Sequence, residues 1–389
     1  MAEASSFQLS GSRFTVEYRV RGTDAEARTK AALICNDQTV EAPDKIIPAG
    51  MIRDQILGRI ERLERWPAAD DASLAVISYP TELLGDDCAQ LLHVLFGMSS
   101  LRAGVRVERL DIPESALRAW PGPRFGRSGW RDLAGVPVRP LVCGVLKPLG
   151  LPPAELADLA YRFALGGLDL IKDDQGLGDQ PFCPFEERVA RCAEAVAKAN
   201  RETGRRCLYL AHVTGRWEQI KQRALQAKQA GAGGLLICPG LTGFDTLRDL
   251  ALDEALSLPI LSHPALLGSF VTQADSGMAP AVVFGQLPRL AGADASLYPV
   301  YHSGFPMTRD DCRAIAKACG ESRGHLKPIF PSAAGRMGVE RVREMCEFYG
   351  QDVLFIVGSS IQQHRAGLVK ACQQFIDEVA RSSQPDAQR

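Results

Sequence analysis

The sequence predicts an α/β protein: a C-terminal (β/α)8 TIM barrel preceded by an N-terminal α+β, ferredoxin-like domain. Three observations carry that expectation. The chain has 389 residues, more than one hydrophobic core usually serves, and a barrel accounts for about 250 of them. From Leu141 onward it repeats one unit, a short apolar run, a turn and a helical pattern. Eight such runs occur, and strands that are apolar on both faces belong in a parallel sheet covered by helices, which eight units close into a barrel.

Before the repeat begins, residues 14–18 alternate as a strand, 51–63 have helical spacing, 75–79 form a second strand and 86–96 a second helix. The breaker cluster Trp120-Pro121-Gly122-Pro123-Arg124-Phe125-Gly126 then sets a boundary, giving domains of residues 1–123 and 124–389. The eight runs are residues 141–145, 168–171, 208–212, 234–237, 259–261, 295–300, 328–330 and 353–357, separated by amphipathic stretches such as 153–164 and 185–199. The fifth unit is the least regular, because residues 268–280 do not read as a helix. An open, doubly wound sheet is the structural alternative.

Composition is ordinary for a globular protein, with 46% hydrophobic and 23% charged residues and a formal net charge of -1. Nothing in that balance calls for nucleic acid or an anionic membrane, which leaves a small molecule as the expected partner. Eleven cysteines are scattered singly, without C-x-x-C spacing, and no charged-then-apolar leader precedes them. Reduced, buried thiols and a cytoplasmic location are expected. No apolar run reaches the ~18 residues that span a bilayer.

Barrel chemistry sits where strands end. Lys147 follows the first run, Lys172-Asp173-Asp174-Gln175 the second, His212 and Thr214 the third and His263 the fifth. Tyr301, His302 and Ser303 follow the sixth, Ser332 and Gly335 the seventh, and Gly358, Ser359 and Ser360 the eighth. Two lysines and two aspartates at a barrel mouth must serve each other or a ligand once they lose water. Asp174 and Gln175 offer oxygen atoms to a hard cation such as Mg²⁺, which keeps positions open for water and substrate. The competing reading is a solvated loop with local ion pairs. Small residues at the last two strand ends let backbone N–H groups approach a phosphate, or merely permit tight turns. His263 would point into the same mouth as the lysines, as a substrate contact, or is a satisfied structural histidine. His93 lies in an apolar helix, His302 and His325 carry weaker signals, and His364 reads as a surface residue.

These residues stand in a recognisable pair of motifs. Gly144-Val145-Leu146-Lys147-Pro148-Leu149-Gly150-Leu151, followed by Gly166-Gly167-Leu168-Asp169-Leu170-Ile171-Lys172-Asp173-Asp174, resembles the paired signature of the RuBisCO large-chain superfamily. The similarity extends to Asp37-Gln38-Thr39-Val40-Glu41 and His93-Val94-Leu95-Phe96-Gly97. It implies a homodimer whose active site is completed by the neighbouring subunit's N-terminal domain. It also implies that Lys172 reacts with CO₂ to give a carbamate that holds one Mg²⁺ with Asp174 and Gln175. Lys147 would handle protons, His263, Asp37 and His93 would lie near substrate, and Gly335, Gly358 and Ser359 would grip phosphate.

The departures are equally informative. Gln175 stands where a glutamate ligand is expected, Leu149 replaces the second lysine of K-P-K, and residues 301–305 lack the mobile-loop lysine. His93 replaces an asparagine and Asp37 shortens a glutamate. The chain is therefore similar to the non-carboxylating RuBisCO-like proteins. An enediolate chemistry remains: decarboxylation or C–C cleavage of a 3-oxo sugar-acid phosphate of the 3-oxo-isoapionate 4-phosphate type, or isomerisation or enolisation of a methylthioribulose-type phosphate. The first is favoured, because losing CO₂ needs an electron sink but fewer proton-transfer groups. A dimer that binds a phosphorylated metabolite without catalysis is the rival from another class.

Overall fold

The computed structural model describes residues 8–67, 71–362 and 367–383. It divides into two compact units, Met1–Trp120 with Gly268–Val283, and Pro121–Leu267 with Phe284–Arg389. In chain order the strands are β1 (Arg13–Arg21), β2 (Arg59–Arg65), β3 (Ala72–Pro80), β4 (Val105–Asp111), β5 (Leu141–Leu146), β6 (Leu170–Asp173), β7 (Leu208–His212), β8 (Gly234–Ile237), β9 (Ile260–Ser262), β10 (Gly277–Met278), β11 (Ala295–Pro299), β12 (Phe330–Ala334) and β13 (Leu354–Val357).

The first unit runs β1, helix Asp24–Asp37, β2, β3, helix Cys88–Phe96, β4, the ferredoxin-like order of elements. Its sheet is ordered β10-β4-β1-β3-β2, with β1 antiparallel to both β3 and β4. Period-two alternation buries Phe14, Val16, Tyr18 and Val20 on one face of β1. The first helix starts on a reciprocal capping box between Thr23 and Glu26.

The helix expected over residues 51–63 is not there. A single wide turn, Ile52–Ile56, is followed by strand β2. Gly58 ends the turn where a Cβ would come 2.8 Å from the Cα of Cys35. β2 then pairs with β3 through a register shift between Ile60 and Arg62. That bulge brings Ile60 and Leu63, three apart, to the same half-buried face, so a strand imitates helical spacing. Residues 268–280 contain one helical turn, Gly268–Val271, and β10, which pairs in parallel with β4. This segment clusters with the first unit although the sequence division puts it in 124–389.

In the second unit β5, β6, β7, β8, β9, β11, β12 and β13 close into a parallel barrel, β13 pairing with β5. Closure removes the open-sheet alternative. Helix Gly126–Ala134 places Trp130 in the cluster formed by Leu170, Leu210, Leu236, Leu261 and Phe330 inside the barrel. The buried Asp294 carboxylate, just before β11, accepts N–H groups of Phe125 and Gly126 at 2.7 Å each and of Ile260 at 3.0 Å. Asp169, just before β6, is held by both Nη atoms of Arg139 at 2.7 Å. These contacts fasten the strand beginnings and leave the opposite, C-terminal mouth for chemistry.

The seventh strand is displaced from its expected position at 328–330. β12 contains Pro331, Ser332, Ala333 and Ala334, which read as a loop, and Ser332 is wholly buried between β11 and β13. Pairing on both sides overrides the weak strand preference of these small residues. All eleven cysteines are free and buried. No helix among the described residues is long and apolar enough to cross a membrane.

Candidate active site at the barrel mouth

Side chains two apart on a strand share a face, so the inward leucines fix what points inward above them. Leu170, Leu210, Leu236 and Leu261 belong to the barrel's interior cluster. Two residues on, toward the mouth, stand Lys172, His212, Cys238 and His263, all buried. Lys147 bears the same relation to the inward Val145 on β5.

Lys172 is 1% exposed, and its Nζ donates to the carbonyl of Asp173 at 2.9 Å. Burial lowers its pKa, favouring the neutral amine. Lys147 Nζ lies 3.1 Å from Asp174 Oδ2, an ion-pair contact without hydrogen-bond alignment, so that buried oxygen has no hydrogen bond. The other carboxylate oxygen, Oδ1, accepts the N–H of Gly176 at 2.9 Å. Gln175 is exposed on the same turn. The competing reading of a solvated loop does not hold for Lys172, Asp173 and Asp174: Asp173 is fully buried and Asp174 is 6% exposed.

Asp173 faces away from the barrel interior. Its carboxylate takes Tyr209 Oη at 2.8 Å, Arg188 Nε at 3.2 Å and the backbone N–H of His212 at 3.1 Å. It therefore anchors the strand end, while Lys172 and Asp174 on either side are available to the mouth. His263 Nδ1 accepts the N–H of Ala265 at 3.2 Å, which puts the ring proton on Nε2. Burial, reinforced by Lys172, His212 and Lys147, pushes its pKa down to about 2, and the ring stays neutral.

Gly335 and Gly358 directly follow the adjacent strands β12 and β13, and Ser359 opens the helical turn after β13. Gly335 has φ 109°, and a Cβ there would lie 2.4 Å from Ser303 Cβ, so no other residue fits. Around Gly358 nothing would meet a Cβ within 4 Å, so packing does not demand glycine there. In the first unit, Asp37 ends its helix half-buried in an ion pair with Arg102, and His93 is exposed. Gln38 joins their neighbourhoods, donating to the carbonyls of His93 at 2.8 Å and Val94 at 2.9 Å. His302 is half-buried and its pKa is lowered chiefly by burial, His325 is exposed, and His364 lies outside the described residues.

Sequence reasoning missed the parts played by Arg188, Tyr209 and Cys238, and left His212 without a role. The signal was present as a repeated spacing: Leu170-x-Lys172, Leu210-x-His212, Leu236-x-Cys238 and Leu261-x-His263.

Residues 128–298 match the family described as ribulose bisphosphate carboxylase large chain, catalytic domain. A solved rubisco-like protein from Rhodopseudomonas palustris superposes with a TM-score of 0.86 at 32% identity, covering 96% of this chain and 99% of that one. The chain belongs to the RuBisCO-like protein family. Among curated RuBisCO-like relatives, a 5-methylthioribulose-1-phosphate isomerase from Rhodospirillum rubrum is 36% identical over 370 residues, 95% of this chain and 96% of that protein. A 2,3-diketo-5-methylthiopentyl-1-phosphate enolase from Geobacillus kaustophilus is 34% identical over 311 residues, 79% of this chain and 75% of the enolase.

Proposed function

We propose that this RuBisCO-like chain enolises a phosphorylated ketose, and that isomerisation of a methylthioribulose-type phosphate is its reaction. The observation that carries the reading is the pairing of Lys147 with Asp174 at 3.1 Å beside the buried amine of Lys172. It assembles, at one strand end and the next, a mobile proton carrier, a carboxylate oxygen without a hydrogen bond and an amine whose pKa is lowered by burial. The likeness to the isomerase and the enolase supports the same chemistry.

This donor set fits Mg²⁺. Lys172 as a carbamate and Asp174 through Oδ2 would hold it, with the neutral Gln175 a weaker third, and among the described residues no cluster of three His, Cys, Asp or Glu side chains competes. When bound, the cation polarises the substrate carbonyl and stabilises the enediolate charge. With Asp174 engaged on the cation, Lys147 as the free amine would take the proton from the carbon next to that carbonyl, becoming the ammonium, and return it to the carbonyl carbon. His263 Nε2–H donates to a substrate oxygen, and Gly335, Gly358 and Ser359 receive the phosphate with backbone N–H groups. Asp37 and His93 contact substrate from the first unit of a second copy. A homodimer is supported by large apolar side chains left exposed on the loops or helix starts after six successive barrel strands: Leu149, Phe182, Trp217, Leu241, Leu266 and Phe305.

The test is incubation with 5-methylthioribulose 1-phosphate in D₂O with Mg²⁺ and bicarbonate, with a 3-oxo sugar-acid phosphate in parallel. Deuterium in an isomerised product supports the proposal. CO₂ release from the sugar acid without isomerisation of the ketose replaces it with the decarboxylase. Phosphate-ester binding that is unchanged in Lys172→Ala, with neither reaction, leaves the non-catalytic binder.

A further inference from the structure

His212 touches the second strand-end turn at two points. Its backbone N–H donates to Asp173 Oδ2 at 3.1 Å, and its ring Nδ1 lies 2.8 Å from the carbonyl oxygen of Leu177. A carbonyl only accepts, so Nδ1 carries the proton and Nε2 presents a lone pair. That lone pair faces Cys238 Sγ at 3.6 Å, and the thiol S–H is its donor. Both edges of the ring are thereby used, and its orientation and tautomer are set by the chain around it.

Between the two points gripped by His212 lie Asp174, Gln175 and Gly176. The turn has its own closures, Leu177 N–H to the Asp174 carbonyl at 3.0 Å and Gly176 N–H to Asp174 Oδ1 at 2.9 Å. These bonds shape the turn but do not attach it to a neighbouring strand. At its far end the ring of His212, the last residue of the adjacent β7, ties Leu177 to that strand, and one residue on Arg188 Nη1 holds the Gly178 carbonyl at 2.8 Å.

We infer that His212 is a positioning residue, holding the turn of Asp174 and Gln175 against β7 through its Nδ1–H, with Cys238 fixing the tautomer. The inference rests on the proposed role of that turn in binding the cation. It separates the two edges of the imidazole. An asparagine amide reaches roughly where Nδ1–H stands, and a glutamine amide where Nε2 stands, so the two substitutions are not equivalent.

The experiment compares His212→Asn, His212→Gln and Cys238→Ala by hydrogen–deuterium exchange of the metal-free protein, and by turnover of 5-methylthioribulose 1-phosphate. His212→Asn is expected to keep the protection of the Gly176 and Leu177 amides and turn over within about threefold of the parent. His212→Gln should lose protection of those amides and kcat by roughly 10- to 100-fold, with protection of the other barrel strands unchanged. Cys238→Ala, which frees the ring without removing it, should fall between them. Equal behaviour of the asparagine and glutamine variants overturns the inference, as does loss of protection throughout the barrel, or loss in the turn without loss of kcat. If the parent itself does not turn over the ketose, the functional reading fails, and the exchange data alone still decide whether His212 holds the turn.

Discussion

Arg188 Nε stands 3.2 Å from Asp173 Oδ2, with neither side chain exposed to solvent. The pair ties helix Phe185–Thr203 to the end of β6, directly beneath the residues proposed for chemistry. Nη1 of the same guanidinium donates to the carbonyls of Gly178 at 2.8 Å and Cys183 at 3.3 Å, while the buried Nη2 has no hydrogen-bond partner among the described residues.

Removing one partner should therefore cost far more than removing both. Arg188→Met leaves a buried carboxylate with only Tyr209 and the His212 amide, and should lose about 3–5 kcal/mol of unfolding free energy. The double variant Arg188→Met/Asp173→Leu should recover a large part of that loss. Urea denaturation of the two proteins checks this, and a loss below about 1 kcal/mol in the single variant contradicts the argument.

The barrel was legible because its strands are buried on both faces, and continuous apolar runs announce that burial. Where burial is achieved with small residues, as at Pro331-Ser332-Ala333-Ala334, the same logic misplaced the strand. Periodicity also failed at β2, whose bulge brings Ile60 and Leu63 to one face. Lys147, Lys172, Asp174 and His263 were legible from strand ends. The partners of Asp173 were not, because Arg188 and Tyr209 lie 15 and 36 residues away and meet it only after the barrel closes. The ion pair of Asp37 with Arg102, separated by 65 residues, was hidden for the same reason.

Lys172 should trade stability for function. Its amine is buried with one hydrogen bond, so Lys172→Met should raise unfolding free energy by about 1–2 kcal/mol while reducing turnover by roughly 10³-fold. Burial lowers the native pKa below that of the unfolded chain, so between the two values the unfolded state binds more protons than the native state. Wild-type stability should rise with pH up to the unfolded lysine pKa of about 10.4, and that part of the slope should vanish in Lys172→Met. Melting curves across alkaline pH give the comparison; equal slopes would remove the claim that burial lowers the lysine pKa.

His263 is predicted to act as a fixed donor. With its pKa pushed down to about 2 by burial and nearby positive charge, it should show no titration in ¹⁵N spectra between about pH 4 and 9. Its loss as a donor in His263→Phe should lower kcat/KM by roughly 10- to 100-fold. A titrating imidazole near neutral pH would instead make it an acid–base participant.

Asp294 and His263 should push acid stability in opposite directions. Burial raises the Asp294 pKa to about 6 despite three backbone N–H donors, so the native state holds a proton that the unfolded chain has released. Its contribution is fully present below the unfolded value near pH 4 and is lost as pH rises through about 6. His263, whose native pKa is depressed, contributes stability above the unfolded value of about 6.5 and loses it as pH falls. Across about pH 4 to 6 each term changes stability by roughly 2 kcal/mol, with opposite sign, and the two largely offset. Asp294→Asn removes the titrating carboxylate and should unmask an acid sensitivity absent from wild type, while His263→Asn should become more stable as pH falls through the same window. Unfolding free energies of the three proteins at pH 4, 5 and 6 test the pair together: parallel profiles would show that neither group carries the linkage assigned to it.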